Sequence, residues 1–97
     1  MFEKVHVSLQ AKSKSGRYHT EPVIRERLTQ LDGKLFEKQG TYYLRTRRRA
    51  QNGNFEKIII IFEVDGDAAH VITQTSDHYS WEKFQHLQDP EFASTED

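Results

Sequence analysis

KLFEKQGTYYLRTRRRAQNGNFEKIIIIFEVDGDAAHVITQT, residues 34–75, is the stretch that decides the fold. Three glycine pairs, Gln39-Gly40, Asn52-Gly53 and Asp65-Gly66, divide it into runs rich in aromatic and β-branched residues. Asn-Gly and Asp-Gly tolerate the positive φ that tight hairpin turns demand. The spacing therefore predicts strands over about 34–38, 41–50, 55–64 and 68–75, joined as an antiparallel meander. Two-residue turns would set the register so that Phe36 faces Tyr43, Tyr43 faces Phe62 and Phe62 faces Ala69. That face also carries Ile58, Ile60, Val64 and Val71, the better core. The opposite face mixes Leu35, Tyr42, Leu44, Ile59, Ile61, His70 and Ile72 with Glu37, Thr46, Arg48 and Glu63. It is expected to be partly wet, or covered by a second helix or a second subunit. The apolar run Ile58–Phe62 implies a central strand buried to some degree on both sides.

Outward from this block, Val5, Val7 and Leu9 alternate with His6 and Ser8, the period of a half-buried strand. Lys12–Arg17 is polar and ends in a Ser15-Gly16 loop. Thr20-Glu21-Pro22 has the marks of a helix start, and Ile24, Leu28 and Leu31 then form one apolar stripe. Asp32-Gly33 stops the helix. A strand over 22–31 is the alternative. Ser76-Asp77 opens a second, short helix carrying Tyr79, Trp81, Phe84 and His86. The expected architecture is α+β: an antiparallel four- to five-stranded meander sheet, one helix (about 21–31) packed on one face, and a short C-terminal helix (about 77–87). Residues 1–88 are expected to form a single domain, and 89–97 a polar, disordered tail.

The 97 residues are 35% hydrophobic and 30% charged, and a domain this small buries only about 60–65% of its unfolded surface. The absence of cysteine excludes disulfides, thiolate zinc sites and thiol catalysis. The longest apolar run is far short of the roughly 20 residues a membrane helix needs, and the N-terminus has no apolar leader. A cytoplasmic protein without membrane contact is expected. The sequence carries no phosphate loop, dinucleotide fingerprint or nucleophile elbow, so no cofactor is expected.

The net charge of −1 hides a split: residues 1–57 carry a balance of +7 and residues 58–97 one of −8. The basic half suggests an anionic partner, and the acidic half a protein partner; the two halves pairing with each other is the plainer explanation. In a strand, Arg45, Arg47 and Arg49 point one way, in line with Tyr43. Guanidiniums about 7 Å apart roughly match the phosphate repeat of an extended strand, and a tyrosine could stack a base. The alternative is a solvated sheet rim, with Glu56 pairing Arg49 across the hairpin.

None of the five histidines shows metal-ligand spacing, so no metal site is expected. His70, on a central strand near Glu63, is the candidate general acid or base, or else a hydrogen-bonded sheet residue. His19, beside Tyr18 in the first loop, could reach the same face. Tyr79, Trp81 and Phe84 suit a core plug or dimer contact, or a stacking platform.

The order strand, helix, four-stranded meander and terminal helix resembles small domains of the RelE-like superfamily, which includes ribonuclease toxins. The block Lys57–Asp67 followed by His70-Val71-Ile72-Thr73 is similar to the closing strands of the DUF4258 group, and Trp81-Glu82-Lys83-Phe84 to its W-x-x-(D)-F ending. The likeness spans residues 20–85. It implies RNA contact through a basic strand and helix, with Arg25, Arg27, Arg45, Arg47 and His70 as the positions to test. A competing likeness links Gly33–Leu44 to the opening of the DUF1934 calycin-like barrels, which implies an internal cavity and a strand over 22–31.

Three functions follow as expectations. One is an RNA-directed protein, a RelE-like ribonuclease or RNA-binding module, using Arg25, Arg27, Tyr43, Arg45, Arg47 and Arg49 with His70 as catalyst. The others are a non-enzymatic protein-interaction module using the acidic half, and a calycin-like small-ligand binder. A homodimer is a further possible assembly.

Overall fold

The computed structural model describes residues 2–87; the tail expected over 89–97 lies outside them. In chain order the elements are β1 (Lys4–Val7), α1 (Leu9–Ser13), α2 (Glu21–Gln30), β2 (Lys34–Lys38), β3 (Thr41–Arg49), β4 (Phe55–Asp65), β5 (Ala68–Ser76), a 3-10 turn (Trp81–Lys83) and β6 (Gln85–His86). The strands form one sheet in the order β1-β5-β4-β3-β2-β6. The expected α+β class holds, but the sheet has six strands and is mixed, because β1 pairs in parallel with β5. Two helical segments between β1 and β2 carry the chain across the sheet, and the meander then works back until β5 lies beside β1 in the parallel sense.

Local chemistry explains the helices. Ser8 ends the first strand early by capping α1: its Oγ accepts from the Ala11 amide at 3.1 Å and donates to the Ile72 carbonyl at 2.6 Å. The strand expected to reach Leu9 therefore stops at Val7, and Leu9 is 82% exposed in α1. The helix expected over about 21–31 forms over Glu21–Gln30, with proline in its first turn. The strand that the calycin likeness required over 22–31 is absent. Leu31, not Gly33, takes the left-handed turn that ends α2 (φ 49°), because its side chain is needed in the core, where it is 2% exposed.

The helix expected over about 77–87 shrinks to the single 3-10 turn. Residues beyond it pair with β2: Gln85 faces Glu37, His86 faces Phe36, and the Leu87 amide donates to the Leu35 carbonyl at 3.0 Å. The open edge of β2 offers ladder hydrogen bonds that a short aromatic helix would forgo.

The register of the β3–β4 hairpin is the main correction. The predicted Asn52-Gly53 two-residue turn is instead a five-residue loop, Ala50–Asn54, with Arg49 facing Phe55. Ala50 and Asn54 close it through a 2.7 Å backbone bond, and the Asn52 side chain accepts from the Asn54 amide at 3.0 Å. One extra residue on one side of the turn slips the pairing by one, so Tyr42, not Tyr43, faces Phe62. A slip of one exchanges the faces of a strand. The core under α2 is thus Leu35, Leu44, Ile60, Phe62, Ala69 and Val71, packed with Ile24, Leu28, Leu31 and Ala11. Phe36 and Tyr43, expected in that core, turn to the other face. The β4–β5 pairing expected as Phe62–Ala69 is Phe62–Val71, with an irregularity at Ile61/Phe62. From Phe62 to Asp65 that shift is even and leaves the faces as expected; beyond the irregularity Ile60 faces Gln74, an odd shift that turns Gln74 inward toward Ala11 and His19.

On the far face, Phe36 stacks on Trp81 at 4.3 Å and Tyr43 meets Phe84 edge-on at 4.9 Å. The segment after β5 therefore covers the β2–β3 part of this face. Among the described residues no helix is long and apolar enough to cross a membrane.

Candidate functional site

Where the apolar core ends under α2, three buried polar side chains take over: His19, Thr46 and Gln74, all 3% exposed or less. Gln74 is fully used. Its Nε2 donates to the Ala11 and His19 carbonyls at 3.0 and 2.8 Å, and its Oε1 accepts from the His19 amide at 2.9 Å. It pins the loop after α1 to the sheet. The imidazole is held in turn by the Thr46 hydroxyl, 2.6 Å from Nε2. Thr46 has one hydroxyl proton, and the Ile58 carbonyl at 2.9 Å can only accept it. Nε2 of His19 is therefore the donor to Thr46 Oγ1.

Burial, then the guanidiniums of Arg27 and Arg48, hold the His19 pKa down to about 4. The ring is neutral at pH 7. Unfolded chains take up this proton near pH 6.5, the folded chain only near 4, so stability falls as pH drops through that window. About 2 kcal/mol should be lost between pH 7 and pH 5 from this group. Urea midpoints at the two pH values measure the loss, and His19→Gln should remove that part of the dependence.

Beside His19 and Thr46 opens a cleft of about 370 Å³ at the end of the sheet where the β3–β4 hairpin emerges. Four arginines line it: Arg27 from α2, and Arg47, Arg48 and Arg49 from β3. Arg27 pairs with Asp32 and also donates to the Arg47 carbonyl at 3.4 Å. Its Nε is buried with no hydrogen-bond partner among the described residues. Arg48 donates to the Tyr18 carbonyl at 2.9 Å and stands 4.0 Å from Glu56. Arg49 donates to the Gly53 carbonyl at 3.0 Å. Phe55 completes the lining: it is 55% exposed, and the Arg47 and Arg49 guanidiniums lie 5.0 and 4.6 Å from its ring centre. Among the described lining residues four guanidiniums stand against one carboxylate, Asp32, a balance that suits an anion, and an exposed ring flanked by cations offers a planar stacking surface.

The residues singled out from the sequence separate into four places. Arg27, Arg47 and Arg49 meet at the cleft. Arg25 turns away, held by Glu21 at 2.7 Å and by the Val5 carbonyl. Tyr43 and Arg45 belong to the aromatic cluster: the Arg45 guanidinium lies 5.6 Å from the Phe36 ring and 5.9 Å from Trp81, with Nε 3.9 Å from Asp77. His70 faces His6 across the β1–β5 pair, rings stacked at 4.9 Å, and faces Glu63 on β4. Glu63 and Phe55 are eight residues apart on β4, roughly 26 Å at 3.3 Å per residue. His70 and the arginine cleft are thus at opposite ends of the sheet.

Arg48, Thr46 and Phe55 were not among the sequence candidates for this site, and His19 was placed only loosely. The pairing of Arg49 with Phe55, rather than with Glu56, would have revealed the ring between the guanidiniums. Among the described residues no group of three or more histidine or acidic side chains could hold a metal ion. No family model, curated protein or solved structure matches the chain.

Proposed function

We propose that this protein binds single-stranded RNA at the β3–β4 end of its sheet, phosphates entering the arginine cleft and a base stacking on Phe55. One observation carries the reading: a phenylalanine left more than half exposed between two guanidiniums, at the mouth of a four-arginine cleft. Exposing a large ring in water is unfavourable unless a partner covers it, and stacked bases do so without regard to sequence. Arginine is suited to phosphate because its planar fork donates two parallel hydrogen bonds. The neutral His19 beside the cleft supplies a dipole rather than a titrating acid near pH 7, so the reading is of binding, and strand cleavage is a separate arm of the test.

The test is a salt titration of binding to a fluorescein-labelled 12-nucleotide RNA, read by anisotropy and run beside a cleavage gel. Two to four phosphate contacts give a slope of log K against log salt of about −1.4 to −2.8. Phe55→Ala should weaken binding about tenfold, a stack being worth about 1–3 kcal/mol. No binding at low salt, or an unchanged affinity in Phe55→Ala, overturns the proposal. A cleavage product would add a ribonuclease activity of the RelE-like kind.

A further inference from the structure

A second cleft, of about 400 Å³, lies between the β2–β3 turn and the segment that follows β5. Tyr43, Tyr79 and Phe84 give it aromatic walls, Lys38 and Lys83 give it ammonium groups, and among the described residues its lining includes no carboxylate. The walls are braced from behind. Phe84 meets both tyrosines edge-on, at 4.9 and 5.7 Å, and Trp81 packs against Phe84 and Tyr79 at 4.7 and 5.2 Å. The Asp77 carboxylate accepts from the Trp81 indole at 2.9 Å and so anchors the turn that carries Lys83. Lys38 Nζ sits 5.2 Å from the centre of the Phe84 ring, which brings a cation and an aromatic surface within one ligand's reach. Two ammonium groups with no carboxylate among the described lining residues favour an anion, and aromatic walls favour a flat ring.

We propose that this cleft is a second site, for a nucleotide unit: a flat base against Tyr79 and Phe84, its phosphate held by Lys38 and Lys83. The unit can come from a free mononucleotide or from an RNA strand; the second source rests on the function proposed above. Tyr43 lies on the same face of β3 as Arg47 and Arg49, an even number of residues away. Thr41 and Arg49, at the two ends of β3, are roughly 26 Å apart. One strand reaching both clefts would fall within the roughly 4–16 nucleotides occupied by known single-strand-binding folds.

Trp81 is the sole tryptophan of the chain, and it touches two walls of the cleft, so its fluorescence reports occupancy. AMP and an unlabelled 12-nucleotide RNA are titrated in turn against the whole chain and against Lys38→Ala/Lys83→Ala. Both lysines are exposed, so the double variant should fold. Saturable quenching by AMP, weakened about tenfold in the double variant, supports the site with a free nucleotide as its source. Quenching by the 12-mer alone, with the same lysine dependence, supports it with the strand as its source. Silence of Trp81 with both ligands, or quenching indifferent to the lysines, overturns it. Trp81 silent while anisotropy still detects Phe55-dependent strand binding removes this second site and leaves the first standing.

Discussion

Gly33→Ala is expected to cost about 3 kcal/mol or more, enough to unfold much of a domain this small. Gly33 stands immediately before β2 with φ 146°, and a Cβ there would lie 2.4 Å from the carbonyl oxygen of Arg45 and 3.4 Å from the Leu44 side chain. The oxygen is backbone in the centre of the sheet, so it cannot swing aside as a side chain could. Relief would require parting β2 from β3, the pairing that brings Leu35 opposite Leu44 in the core. Gly53→Ala is the control. Gly53 also has positive φ (87°), but nothing lies within 4 Å of its would-be Cβ, so it should lose only about 1 kcal/mol of backbone strain. Urea denaturation followed by far-UV dichroism separates the two. Equal midpoints for the two variants would show that the close approach at Gly33 carries no cost.

Arg47→Ala/Arg49→Ala should produce the largest loss of RNA binding. Removing two phosphate contacts lowers the magnitude of the salt slope by about 1.4 and, with the non-electrostatic part unchanged, weakens binding about 15-fold at 0.15 M salt and about 60-fold at 0.05 M. The salt dependence distinguishes this from Phe55→Ala, whose loss should be nearly the same at every salt concentration because stacking releases no counterions. Arg47 and Arg49 are exposed on β3 and contribute nothing to the buried core, so the double variant should keep its unfolding midpoint within about 0.5 kcal/mol. A double variant that binds as tightly as the parent would mean that the arginines do no more than solvate the hairpin.

Much of the secondary structure was legible because it rests on local rules. Proline and an acid in the first turn start the helix ahead of the Ile24/Leu28/Leu31 stripe, while the Thr20 hydroxyl expected to cap it makes no cap bond. Alternation and glycine pairs likewise fixed β2 to β5 within a residue or so of their ends. The candidate site was legible in part. The run Arg45–Arg49 announced an anionic partner, yet it could not say which of its arginines face water. Arg45 and Arg47 differ by one alternation step of two residues, but Arg45 is enclosed by Phe36, Trp81 and Asp77, while Arg47 stands beside Phe55. The covering segment arrives from more than thirty residues further along the chain, beyond the reach of any local pattern.

The sequence by itself determined which residues extend, which coil and where the chain turns, because those choices are made by φ preferences and hydrophobic period over a few neighbours. The tertiary structure alone decided which side of β2 and β3 became core. That choice hung on one residue in the Ala50–Asn54 loop, which closes through the Ala50–Asn54 backbone bond and the Asn52 side chain. It was settled by the burial of Leu35 and Leu44 beneath α2. With that face filled by aliphatic side chains, the aromatic residues of β2 and β3 were left to pack against the Tyr79–Phe84 segment, and Phe55 was left between two arginines in water.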